Sequence, residues 1–202
     1  MLSLDFLESI PQEMLSEEAK KLSAEEIAQL VEWLTLKEDK PRYQAFLLLK
    51  QRSAVDASVY PYWDMLRSKL NNDNSYQRSI GLMLIAENVR WATSGERKEG
   101  LEDYLKLLQD EKPITVRQCI QALPVILEYA PELWNPISDR LVSLSFTDYK
   151  ETMRKLILMD ALNVLIMINR KKHNTRIENF ISEALTGEIL DKKSRKQIEA
   201  QL

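Results

Sequence analysis

The chain has 202 residues, 45% of them hydrophobic and 29% charged, a balance that excludes disorder and suits a single folded domain over 1–202. Its net charge of -3 gives no global pull toward nucleic acid or an anionic membrane, and its one cysteine excludes an intrachain disulfide. The N-terminus lacks the basic and apolar regions of a secretory signal, and the most apolar run, 156–168, is 13 residues long against the ~20 that span a bilayer. The expected address is the cytoplasm, with no membrane partner.

Strand signals are nearly absent, and helix signals follow one another along the chain. Residues 1–22 predict one or two short capping helices, with Pro11 suited to a first turn. Ser23-Ala24-Glu25-Glu26 is a capping box that opens an amphipathic helix through Ile27, Leu30, Val31 and Leu34. Its partner starts at Asp39-Lys40-Pro41-Arg42 and runs to about Lys50. A second pair is predicted from Tyr60 to Leu70 and, after the Asn71-Asn72-Asp73-Asn74 turn, from Ser75 to about Trp91. The third pair is Gly100 to Leu108 and a helix from about Glu111 to Tyr129, kinked at Pro124. The fourth is Pro131 to Leu144 and Asp148 to Asn169. The fifth is Thr175 to Leu185, with Gly187 as C-cap, followed by a short capping helix ending at Leu202.

Five arginines punctuate these pairs: Arg42, Arg78, Arg117, Arg154 and Arg195, at gaps of 36, 39, 37 and 41 residues. Each follows a turn aspartate: Asp39, Asp73, Asp110, Asp148 and Asp191. A period near 40 with two helices per unit is the mark of an α-solenoid, whose repeats hide their apolar faces against their neighbours. Asp110-Glu111-Lys112-Pro113-Ile114-Thr115-Val116-Arg117, followed by Ala122-Leu123, resembles the second helix of a HEAT repeat. Asp39-Lys40-Pro41-Arg42 with Ala45 resembles it with a shortened turn, and the other three Asp and Arg pairs do so without the proline. The resemblance covers about residues 23–202. It implies an all-α fold, a right-handed α-α superhelix of about five HEAT-like helix pairs. It also implies that the turn aspartates and helix arginines form a ladder between repeats.

A ladder is one use of those arginines, and a groove for an anionic ligand is the other, since a guanidinium fork suits carboxylate or phosphate. The second helices (39–52, 74–92, 111–129, 148–173 and 188–202) carry 18 Lys/Arg against 10 Asp/Glu, while the remainder carries 10 against 21. A basic layer set against an acidic one favours an acidic partner. Glu87 and Asp160 interrupt nearly all-apolar helices, so each is expected either to pair with a cation of an adjacent repeat or to line a cavity. The candidate concave-face residues are Arg78, Glu87, Trp91, Arg117, Arg154, Asp160 and Asn163, with a partly exposed Trp91 as the contact anchor. Trp33, Trp63 and Trp134 read as core between repeats.

Catalytic and metal motifs do not stand out. His173 reads as a solvated helix-end residue and Cys119 as a small buried one. Gly81, Gly95, Gly100 and Gly187 are scattered, so they form no phosphate loop. No cofactor or metal is expected. The leading expectation is a non-catalytic scaffold or adaptor that binds a protein or peptide along its concave face; self-association is a further possibility. The alternative is a DNA-repair enzyme. Small HEAT-like proteins include the alkylpurine DNA glycosylases, and Tyr62-Trp63-Asp64 resembles that family's Trp-Trp-Asp stretch. The likeness implies DNA in the groove and Asp64 aiding base loss. Its neighbours do not match, and the acidic total disagrees with a DNA binder.

Overall fold

A computed structural model describes residues 1–147 and 149–202; Asp148, one of the turn aspartates and the expected start of a helix, lies outside them. The described residues hold twelve α-helices joined by single 3-10 turns and short loops, with no strand among them. The helices are α1 (Leu4–Ser9), α2 (Leu15–Lys21), α3 (Ala24–Trp33), α4 (Asp39–Val55), α5 (Trp63–Ser68) and α6 (Ser75–Asn88). They continue as α7 (Ser94–Lys106), α8 (Pro113–Tyr129), α9 (Trp134–Val142), α10 (Glu151–Lys171), α11 (Thr175–Thr186) and α12 (Lys192–Glu199). The all-helical expectation holds. No helix among the described residues is long and apolar enough to cross a membrane.

Local chemistry explains most of the starts. Ser23 and Glu26 form the expected reciprocal box at α3. Asn74, Asn174 and Asp191 cap α6, α11 and α12 by accepting from backbone amides of the first turn. A second box was not expected: the Thr93 amide donates to Glu96 at 2.8 Å while Thr93 Oγ1 accepts from the Glu96 amide at 3.4 Å. This box opens α7 at Ser94, six residues before Gly100. Gly187 ends α11 with φ at -73°, so its backbone is not in the left-handed region that favours glycine.

Contacts divide the chain into two compact units, Met1–Gly100 and Leu101–Leu202. In the first, α4 is the hub, with α1, α2, α3 and α6 packed on it and α5 on α6. Ala45, Phe46, Leu48 and Leu49 of α4 are buried in that core. The N-terminal segment is tied down by a reciprocal pair: the Leu2 amide donates to Gln29 Oε1 at 2.9 Å, and Gln29 Nε2 donates to the Leu2 carbonyl at 3.0 Å. Trp63 is buried as expected, and its ring lies so close to Gly100 that a Cβ there would sit 2.8 Å from the indole. One polar group is unusual. Lys69 is buried, its ammonium donating to Gln77 Oε1 at 2.5 Å, and burial pushes its pKa down.

In the second unit α10 is the hub, against α8, α9, α11 and α12. Ile157, Leu158, Ala161, Leu162, Leu165 and Ile168 bury its inner side. Cys119 is fully buried, and burial pushes its thiol pKa up. Its backbone and that of Tyr104 are cross-linked: the Tyr104 hydroxyl donates to the Cys119 carbonyl at 2.7 Å, and Cys119 Sγ donates to the Tyr104 carbonyl at 3.6 Å. α8 continues through Pro124, which has no N–H for the ladder of its own helix.

Candidate functional site

In each unit the second helix of one pair packs on the second helix of the next: α4 on α6, and α8 on α10 on α12. Ion pairs link these neighbours, and the following run the same way, cation first and anion on or capping the next helix. Lys50 of α4 reaches Glu87 of α6 at 3.8 Å. Arg117 of α8 meets Asp160 of α10, Nε to Oδ2 at 2.7 Å. Lys155 of α10 meets Asp191, the cap of α12, at 2.8 Å. The lysine beside Asp191, and then the Ser194 amide, hold that carboxyl well below the usual carboxylate range.

The periodic arginines make different bonds from one another. Arg42 Nη1 donates to the Leu36 carbonyl at 2.8 Å, and its other arm pairs with Asp39 of its own turn. Arg78 Nη1 donates to the carbonyls of Asn72 and Asp73 at 2.8 and 2.9 Å. Arg154 donates to the carbonyls of Tyr149 and Thr147 at 2.6 and 2.8 Å. Arg195 donates to those of Leu190 and Gly187 at 3.0 and 2.6 Å. Four of the five therefore fold back five to eight residues and satisfy the free carbonyls of the turn that precedes their helix. Arg117 instead gives its charge to Asp160 across the helix pair.

The remaining candidates also have structural partners. Glu87 is buried beside Arg90 Nη2 at 3.1 Å as well as Lys50. The Trp91 indole donates to the Ser53 carbonyl at 2.8 Å, and Arg90 donates to the next one, Ala54, at 3.2 Å. The pair thereby caps the C-terminal end of α4, and Trp91 is half-buried. Asp160 also accepts from Gln121 Nε2 at 3.1 Å, and Asn163 accepts from Gln201 Nε2 at 3.1 Å. Arg117, Asp160 and Asn163 thus share the α8, α10 and α12 layer with Gln121 and Gln201, which the sequence pattern did not single out. Arg154 lies at the start of α10, on its own turn. Arg78, Glu87 and Trp91 belong to the first unit. His173 is exposed and pairs with Glu178 at 3.2 Å, and no cluster suited to a metal ion occurs among the described residues.

One polar cluster ties titration to stability. Tyr60 hydroxyl donates to Glu96 at 2.6 Å, beside the Thr93 box. The Thr93 hydroxyl first, then Tyr60, lower the Glu96 pKa from 4.5, while Glu96, then burial, push Tyr60 up to about 12. A tyrosine with a raised folded pKa contributes stability that is present below 10.0 and lost as pH rises through about 12. The Tyr60→Phe variant is therefore expected to lose less stability than the parent between pH 10 and 12, read as urea midpoints at each pH. Equal losses would show that this hydrogen bond does not couple to folding.

Hollows open on the second unit. A cleft of about 750 Å³ beside the start of α8 and α10 is lined by Leu108, Pro113, Tyr149 and Met153, with charges of both signs at its mouth. A groove of about 540 Å³ runs between the C-terminal turns of α8 and α10, walled at one end by Trp134. No family model matches the chain, and no curated protein matches it.

Proposed function

We propose that this chain is a non-catalytic HEAT-like α-solenoid, a right-handed superhelix of about five helix pairs, that holds a protein or peptide along the face built by its second helices. The observation that carries the reading is repetition. In both units second helix packs on second helix, and cation-to-anion bonds run in one direction between them. The charge distribution supports the class of partner: the second-helix segments hold 18 Lys/Arg against 10 Asp/Glu. Turn arginines bound to backbone carbonyls keep the repeats rigid, which lowers the ordering cost of docking a partner.

The test is affinity capture of the full chain from lysate, with and without nuclease, beside a Lys50→Glu, Lys155→Glu variant. Both lysines are partly exposed but pair with Glu87 and Asp191, so circular dichroism and the urea midpoint of the variant are read beside the capture to check that the fold survives charge reversal. A defined protein partner that survives nuclease and binds the variant at least about tenfold more weakly supports the reading. Capture abolished by nuclease, or partners indifferent to the variant, overturns it.

A further inference from the structure

The groove between α8 and α10 combines an apolar floor with a charged rim. Its floor is Leu127 and Ile168, both buried, and its sides are Pro124 and Val125 on α8 and Met167 on α10. Pro124 and Val125 are short side chains at a point where a leucine would fill the space, so the two helices leave a trough of about 540 Å³ between them. That volume lies in the range of about 300–1,000 Å³ in which pockets engulf a bulky group. Met167 is 42% exposed at its edge, an apolar side chain whose flexible thioether adapts to whatever lies against it. The end wall does not adapt: the Trp134 indole is pinned to the Leu127 carbonyl at 2.8 Å.

Charge decides what sort of apolar group belongs there. Arg170 and Lys171 flank the groove from the α10 side, both exposed, and neither forms an ion pair among the described residues. Arg170 gives one N–H to the Gln201 carbonyl, which fixes its guanidinium without neutralising it. On the α8 side stands a single carboxylate, Glu128, also without an ion pair among the described residues. An occupant must therefore bring an apolar anchor for the floor and negative charge for the α10 rim, and must keep that charge away from α8. The geometry points to this groove as the docking site for an acidic peptide segment of a partner protein. The segment would seat one large apolar side chain beside Trp134 and Met167, with a carboxylate about one helical turn away on Arg170 and Lys171.

The inference rests on the scaffold reading and narrows it to one place and one peptide chemistry. A display library of 12-residue peptides is selected on the immobilised full chain, and the selected peptides are titrated against variants by fluorescence polarisation. The expected result is enrichment of Leu, Phe or Trp with Asp or Glu three or four residues away. Met167→Lys and Val125→Lys should each weaken binding at least tenfold. Lys171→Glu should weaken it several-fold, and more at low salt than at high. Circular dichroism of each variant checks that the helices persist. Peptides indifferent to Met167→Lys and Val125→Lys but lost on Lys50→Glu, Lys155→Glu would overturn this inference and leave the scaffold reading standing. A concentration-dependent dimer abolished by Met167→Lys would overturn it too, because a second copy would then be the occupant. No peptide above background, together with no partner in the capture experiment, would sink both.

Discussion

Replacing Gly81 by valine is expected to lower stability by roughly 3 kcal/mol, a cost at the upper end of that for forcing extra carbon into a packed core. Gly81 lies in α6 where it crosses the end of α5. A Cβ built there would stand 2.9 Å from Lys69 Cβ and 3.0 Å from the Leu66 carbonyl oxygen. Both obstacles are attached to, or part of, the backbone of α5 and of the 3-10 turn that follows it, so neither moves aside by a rotamer change. A buried helical glycine normally gains about 1 kcal/mol on conversion to alanine. At this position the clash outweighs that gain, and even Gly81→Ala is expected to be neutral or destabilising. Gly95 is the control. It lies in the first turn of α7 with nothing within 4 Å of its would-be Cβ, so Gly95→Ala should be neutral or add up to about 1 kcal/mol. Urea midpoints at constant m-value check the set; similar midpoints for Gly81→Val and Gly95→Ala would refute the close-approach account.

That contrast shows which parts of the structure are legible in sequence. Ser23 and Glu26 lie three residues apart and act on each other, so the start of α3 is readable from four letters. The Thr93 and Glu96 box obeys the same rule but contains Gly95, a residue that more often marks a turn, and α7 was expected to begin only at Gly100. Gly81 carries no local sign at all. Its role depends on Leu66 and Lys69, which approach it only after α5 and α6 have packed.

The candidate site divides along the same line. The period of the arginines is visible in the sequence, but what each guanidinium binds is not. Backbone carbonyls carry no side-chain signature, so the donation of Arg78 to Asn72 and Asp73, or of Arg195 to Leu190, leaves no mark beyond spacing. Bonds such as Lys50 to Glu87, Arg117 to Asp160 and Lys155 to Asp191 link neighbouring second helices, but none of these three joins a turn aspartate to one of the five arginines, as the expected ladder would. Lys155 directly follows Arg154, whereas Lys50 lies two helical turns beyond Arg42, so the bridging cations do not keep the period of the arginines. At the groove between α8 and α10 the sequence signals only a kink at Pro124. Its apolar floor becomes a hollow because Pro124 and Val125 line one trough with Met167, 43 and 42 positions further along the sequence, and no periodicity encodes that.

Asp160→Ala should destabilise the chain by about 2 kcal/mol, and the reason is the partner it abandons rather than the contact it loses. The Asp160 side chain is 11% exposed and that of Arg117 23%, so the pair sits short of full burial. For a fully buried pair, removal of one member costs about 3–5 kcal/mol, because an uncompensated charge stays behind in a poorly solvated place. The partial exposure of Arg117 lets water take up some of that charge, which brings the figure down. Arg117→Ala should cost less, since Asp160 keeps its hydrogen bond from Gln121 at 3.1 Å. The Arg117→Met, Asp160→Leu double variant should recover most of the loss, as apolar groups of similar size meet across α8 and α10. A coupling of about 1–2 kcal/mol in the cycle closed by the Arg117→Ala, Asp160→Ala double variant would establish the rung as a desolvated link between second helices. A coupling below about 0.5 kcal/mol would instead mark it as a surface pair, and the rigidity of the α8 and α10 layer would then rest on apolar packing alone.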